Sequence, residues 1–426
     1  MNIIIESFGN IISSAGEVWK ILSTVWFIVF PVAFYYLFRM LWGDFAAGKF
    51  WGSIEWTLLE IIPPNDIEKS PQPMEVIFSG LLGSMAGINI IEEHVDGKSP
   101  MFFSLELVSD EGAVHFFIRT PKVLTALVES HIYAQYPNSE IMVVPDYVND
   151  VPKIIPNRDW NLWGTDFILD KPDPYPIKTY KWFEESVTGT MIDPLAGLIE
   201  TMGKIGPGEK IWFQYIITPK DQSEFESGRA IADELAGRAK PKKMGAFSEF
   251  IQDWGDIIKS VPAAMMGPVE LPDRSESSSE NVPVEFALTP GEKEVLKAVE
   301  ESIGKSAFET KMRFLYLGRR EVFDKVSVGS TMGSVKQFSD INLNGFKADN
   351  TSKTFAIHLF AAPRVLYRQR KILRRYRDRD RSGNQFILNT EELATVFHFP
   401  DMSVSTPAVK KVSTKRGSAP ANLPIQ

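Results

Sequence analysis

Residues 364 to 381 read Arg-Val-Leu-Tyr-Arg-Gln-Arg-Lys-Ile-Leu-Arg-Arg-Tyr-Arg-Asp-Arg-Asp-Arg, with nine basic and two acidic side chains. Leu366, Ile372, Leu373 and Tyr376 form a narrow apolar stripe at helical spacing. The cations left outside that stripe, Arg364, Arg368, Arg370, Lys371, Arg374, Arg375 and Arg377, are the expected contacts to a partner or to phosphate. Against anionic lipid each is worth about 1 kcal/mol, and against nucleic acid each neutralised phosphate releases counterions. The same helix could equally pack on the acidic remainder of its own chain or of a neighbouring subunit.

Other chemistry is sparse. Gly304-Lys305-Ser306 ends like a phosphate-binding loop, but Val299 stands where the first glycine is required. Gly197 to Gly203-Lys204 has five residues between its glycines, and Ile205 takes the hydroxyl position. Neither is a P-loop, so no nucleotide hydrolysis is expected. There is no G-x-S-x-G elbow and no G-x-G-x-x-G after a strand. The pairs Glu92-Glu93, Glu184-Glu185 and Glu391-Glu392 read as solvated helix faces. Five scattered histidines and no cysteine give no zinc spacing and no thiolate, so no metal or cofactor is expected.

The elements that must position the basic stretch belong to a chain of 426 residues with a formal charge of −8. That length predicts two or three domains, and 44% apolar with 23% charged residues is the composition of a globular chain. It excludes a disordered chain, a collagen and a polytopic membrane bundle. The basic stretch carries +7, which leaves −15 for the rest.

Residues 21 to 38 hold no charge, and eighteen residues at ~1.5 Å each span about 27 Å, enough to cross a hydrocarbon core. Pro31 is tolerable there, and Tyr35, Tyr36 and Trp42 resemble an interfacial belt. Glu6 and Glu17 before the run argue against a cleaved signal peptide, so a retained anchor is expected, with membrane lipid as its partner. Lys20 on one side against Arg39 and Lys49 on the other favours a cytoplasmic C-terminal part.

Beyond the anchor, Met74, Ile77, Phe78 and Leu81 predict a helix within 71–86, and Phe102–Val108 and Val114–Arg119 a hairpin turning at Glu111-Gly112. A helix from Pro121 and a strand at 141–144 complete an α+β module. A second set follows: strand 167–169, helix 194–205, strand 211–218, helix 290–303, strand 308–317, helix 320–336 and strand 353–360. Between them, 220–283 reads as an insertion with helical patterns at 223–238 and 246–261 and a mobile end at 262–283. Thr390–Phe397 predicts a short helix capped by Thr390 or Asn389, with Glu392 early in its first turn.

The expected fold class is α+β: one N-terminal transmembrane helix, then two small α/β-sandwich (ferredoxin-like) modules with a helical insertion. The expected divisions are 1–50, an anchor with its transmembrane helix at 21–41; 51–160, the first module; 161–361, the second; and 362–426, the basic helix with a proline-containing connector tail.

Several strings resemble a known family: Trp56-Thr-Leu-Leu-Glu-Ile-Ile-Pro-Pro-Asn-Asp, Ser104-Leu-Glu-Leu-Val-Ser, His115-Phe-Phe-Ile-Arg-Thr-Pro, Glu129-Ser-His-Ile-Tyr-Ala-Gln-Tyr-Pro and Leu388-Asn-Thr-Glu-Glu-Leu-Ala-Thr-Val-Phe-His-Phe-Pro. They are similar to the N-terminal, pre-ATPase region of membrane-anchored type IV secretion and conjugative DNA-transfer proteins of candidate-phylum-type bacteria. The resemblance runs from about residue 55 to the end. In that family the region leads into an ATPase, so with no P-loop here the expectation is a non-enzymatic scaffold in the inner membrane, a homo-oligomer, and either a split member docking a secretion-type ATPase encoded on a separate polypeptide or a stand-alone paralogue. The rival expectation, from the residues themselves, is a membrane-tethered nucleic-acid-binding protein that grips phosphates with the basic helix.

Overall fold

The alternation of apolar and polar side chains in β1 (Trp56–Ile62), β2 (Phe103–Asp110) and β3 (Ala113–Pro121) sorts them onto two faces. Leu59, Ile61, Leu105, Leu107, Phe116 and Ile118 enter the larger core. Leu58, Val108 and Phe117 enter a smaller one on the opposite face. Between β2 and β3, Glu111 (φ 52) and Gly112 (φ 93) are both left-handed, which suits the right-handed twist of a two-residue hairpin. A side chain at Gly112 would come within 2.9 Å of the Ile205 carbonyl oxygen. This computed structural model describes residues 2–64, 70–85, 87–183, 192–220, 226–236, 288–357, 360–401 and 409.

β4 (Glu140–Val143), β5 (Trp160–Leu169), β6 (Glu209–Lys220), β7 (Ala307–Arg319) and β8 (Phe346–Ala348) extend one sheet in the order β4-β1-β3-β2-β6-β7-β5-β8. The pairings of these strands are antiparallel. β9 (Phe386–Asn389) also joins β7, pairing with Ala307–Thr310, while β5 takes Arg313–Arg319 of the same strand. The protein is thus α+β with a nine-stranded antiparallel sheet.

The order contains a repeat. From β1 to β4 and from β5 to β8 the first strand lies between the fourth and the third, with the second strand outermost. The halves meet second strand to second strand, over eight register pairs from Phe103↔Ile217 to Asp110↔Lys210. The two halves therefore share one sheet: each outer strand, which would otherwise leave a row of peptide groups unpaired, finds its partner in the other half.

Helices cover the larger core. Gln72–Leu81 buries Met74, Ile77, Phe78 and Leu81, and Thr125–Gln135 buries Val128 and Ile132 beside it. In the second half Ala196–Gly203 and Lys325–Val335 do the same with Leu198, Ile199, Met202, Val328 and Val335. The C-terminal helix (Thr390–Val396) lies in this layer against Gln72–Leu81.

Several expectations are corrected. β5 begins at Trp160 rather than 167, since it follows the full length of β7. The helix expected from 320 starts at Lys325, because the Asp324 side chain caps it. Residues 353–357 form no strand: Thr354 exchanges single bonds with Gly164 (3.0 and 2.9 Å), and 358–359 lie outside the described residues. β8 and β9 were not expected. Within the insertion, Glu226–Leu235 is a helix, while 246–261 and 262–283 lie outside the described residues.

The N-terminal helix is continuous from Asn2 to Ser53 with Pro31 inside. Among the described residues no helix is long and apolar enough to cross a membrane. The first part of the expected span, apart from Trp26 and Phe27, has side chains outside the described ones, and from Phe30 onward the helix carries Arg39, Asp44 and Lys49. The large apolar side chains described from Trp26 to Phe45 are exposed, with Phe34, Tyr36, Phe38 and Phe45 more than 60% so.

Candidate functional site

The basic helix runs from Ala361 to Arg377, starting three residues earlier and ending four residues sooner than the charged stretch 364–381: Ala361–Pro363 add a first turn, and Arg379 (φ 49) turns the chain away after Asp378. It lies on the sheet face opposite the helix layer. Ile372, Leu373 and Tyr376 pack there with Leu162, Leu315, Leu317 and Trp212, and Gln369 donates to the Leu162 carbonyl at 2.7 Å.

With those residues inward, the cations fall into two rows along its flanks. Arg364, Arg368, Lys371 and Arg375 follow i, i+4, i+7, i+11 spacing, and Arg370, Arg374 and Arg377 follow i, i+4, i+7. Three of the seven are held by the protein. Arg368 donates to the carbonyls of Lys353 (3.0 Å) and Phe355 (2.6 Å). Arg375 pairs with Asp380 (3.2 Å) and Ser382 (2.9 Å). Arg377 reaches Asn149 (3.3 Å) and the Val151 carbonyl (3.4 Å). The side chains of Arg364, Arg370, Lys371 and Arg374 have no hydrogen bond or ion pair among the described residues, although the Lys371 ammonium lies 5.6 Å from the Tyr367 ring centre.

Beneath the helix lies a buried polar network that sequence reasoning missed. Arg379 donates to both oxygens of Glu106 (2.9 and 3.0 Å) and to Asp146. Glu106 also accepts from Ser104, Tyr147 and Gln214. Arg313 donates to Asp166 (2.7 Å) and to Gln214 (2.9 Å), and Lys311 pairs with Asp166 at 3.2 Å. Burial is the largest single influence and would raise Glu106, but the adjoining Arg379 guanidinium together with the hydrogen bonds from Ser104 and Tyr147 holds the carboxyl below the usual range. Burial draws Lys311 down, only partly opposed by Asp166.

This network fastens the helix. Arg313 donates to the carbonyls of Arg375 (3.0 Å) and Asp380 (3.1 Å), and Gln214 donates to that of Tyr376 (3.1 Å). Strand side chains thereby satisfy carbonyls at the helix C-terminus, where a cation is electrostatically favoured. The signal in the sequence was a charge at an alternating position inside an apolar strand: Glu106 in Ser-Leu-Glu-Leu-Val, and Lys311 and Arg313 in Lys-Met-Arg-Phe-Leu.

A cleft of about 580 Å³ opens on one flank of the helix, bounded by residues 349–352, Gly383 and Asn384. A second, of about 520 Å³, opens on the other flank between Arg370, Arg374, Arg377 and the Lys153–Ile155 segment.

The remaining candidates resolve differently. Gly304 ends the Pro290–Ile303 helix, and Lys305 is engaged by Glu75 at 3.0 Å and by Glu391. Gly203 ends Ala196–Gly203, and Lys204 pairs with Glu200 at 2.8 Å. Both glycine–lysine pairs thus stand at the negative end of a helix, whereas a phosphate cradle needs the positive one. Glu391 and Glu392, expected in solvent, are buried, because their helix is sandwiched in the covering layer. Burial pushes Glu392 up to about 8, against the backbone N–H groups of Asn389 and Ile177 that favour its charge. Glu184-Glu185 lies outside the described residues. Among the described residues no cluster of three or more metal-ligating side chains forms.

No curated protein matches the chain. A family model, described as a domain of unknown function, matches residues 53–412, which takes in the whole sheet, the network and the basic helix. The chain belongs to that family, DUF8128.

Proposed function

We propose that this protein is a membrane-anchored, non-enzymatic scaffold of a type IV secretion or conjugative DNA-transfer machine. Its N-terminal helix sits in the inner membrane as a single pass, and two ferredoxin-like modules, related by duplication, stand on the cytoplasmic side. The exposed cations of the basic helix dock a separately encoded ATPase in a homo-oligomeric assembly. The observation that carries this reading is the apolar surface of the N-terminal helix from Trp26 to Phe45, exposed along its described length, where a core helix would bury one face. The repeated strand order supports the modular part. The string resemblance supplies the machine.

Flotation with liposomes tests the anchor. The full chain is expected in the lipid fraction at high salt, where electrostatic adhesion is screened. A variant carrying F30D, F34D and F38D is expected to remain at the bottom of the gradient. Full-length protein that stays there in both forms would sink the proposal.

The four cations without a protein partner favour a second reading, binding of nucleic acid. Its measure is the salt dependence of DNA affinity, and a flat slope near 100 mM salt would remove it.

A further inference from the structure

We propose that the cleft beside the row Arg364, Arg368, Lys371 and Arg375 is a binding site for a nucleoside phosphate. The cleft is lined by five cations, these four and Lys311, against two carboxylates, Asp166 and Asp349. Asp166 is shared between Lys311 of the lining and Arg313 outside it, and Asp349 accepts from the backbone and hydroxyl of Thr351. Five cations against two carboxylates leave the lining net positive, and Arg364 and Lys371 have no ion pair of their own among the described residues. An anion is the charge that fits.

The spacing narrows the anion. Successive cations of the row are three or four residues apart, about 5 to 6 Å along one helix face, which suits neighbouring phosphate groups rather than a lone carboxylate. The remaining wall is apolar and ring-bearing. Ile372 and Pro363 form part of it, and Tyr367 presents an exposed ring at the rim, where a base can stack. A volume of about 580 Å³ lies in the range of small-molecule sites, and the hydroxyls of Thr351 and Ser352 are at hand for a sugar. At the floor, Gly383 (φ 96) brings the backbone up to Lys311, where an added side chain would lie 3.4 Å from the ammonium. A bilayer would need these cations on a convex surface, but they line a concave one.

The nucleoside phosphate can be a free nucleotide or part of a single strand, and the experiment separates the two. Adenosine diphosphate is titrated calorimetrically into the full chain in detergent micelles. Saturable binding is expected, with adenosine giving none. The R364E/K371E variant is expected to weaken binding at least about tenfold, and Y367A to weaken adenosine diphosphate more than pyrophosphate. A K297E variant, altered at an exposed cation on a distant helix, is expected to bind as the parent does. Displacement of the nucleotide by a twelve-residue oligothymidylate assigns the phosphate to a strand, and failure to displace it assigns the site to free nucleotide. No heat from adenosine diphosphate, or equal weakening by K297E and R364E/K371E, overturns the proposal. Neither result bears on flotation, so the anchor stands or falls separately.

Discussion

Arg379 and Glu106 are both almost fully buried, and their paired geometry shows what a single residue decides in this protein. Two charges taken out of water gain little net stability from each other, but removing one strands the other. Glu106→Ala is therefore expected to destabilise by about 3 to 5 kcal/mol, measured by urea denaturation, while replacing the pair together with apolar residues costs much less. Glu392 gives a pH dependence. Its carboxyl is raised to about 8 by burial, above the unfolded value of 4.5, so its protonated form favours the folded state. The stability it contributes is complete below about pH 4.5 and is lost as pH rises through about 8. Denaturation midpoints between pH 5 and 9 are expected to fall for the parent chain and to flatten for Glu392→Gln. Asp193 runs the other way. His398, 3.0 Å away, helps hold it below its ordinary value despite burial, so its contribution is present above the unfolded pKa and lost on acidification through the lower folded one.

Elements here end where side chains make them end. Asn389 accepts from the Glu392 backbone N–H at 2.9 Å while Glu392 reaches back to the Asn389 N–H, and Asn389 also donates to Ser302. Asn389→Ala is expected to cost about 1 to 2 kcal/mol in thermal or urea unfolding, at the upper end for a cap because a buried bond to another helix goes with it. A cap at Thr390 or Asn389 was legible in Asn-Thr-Glu-Glu, and the structure places it at Asn389; the Glu111-Gly112 turn and the helix at Met74–Leu81 were legible as well. β9 was not, because a four-residue strand is specified by the free edge of β7 rather than by its own pattern. The seven cations were legible by type, yet their division into held and unpartnered ones was not. Arg368 depends on two distant carbonyls, and Arg375 on a turn formed only once Arg379 adopts its left-handed backbone.

At the scale of the whole molecule the halves are continuous through β2 and β6, so they are expected to unfold together. Fluorescence of a probe in the first half and one in the second should give coincident urea midpoints, and two separated transitions would contradict the shared sheet. The basic helix adds to this union. It is fastened by Arg313 from the second half and, through Tyr376, Tyr147 and the Arg379–Glu106 pair, by the first. Anything that grips its outer cations therefore pulls on both halves at once. The hairpin between β6 and β7 has a further bearing on how such a chain can grow. Lys220 and Ala307 stand directly opposite each other in the ladder, so the polypeptide departs and returns about one strand spacing, ~4.8 Å, apart, whatever lies between. The first half closes the equivalent gap with two residues. The helices Glu226–Leu235 and Pro290–Ile303, which leave and re-enter this gap, pack on each other and the second is bonded to the sheet's covering layer, so the natural graft point lies between them, where cargo can be spliced in while the sheet keeps its closure.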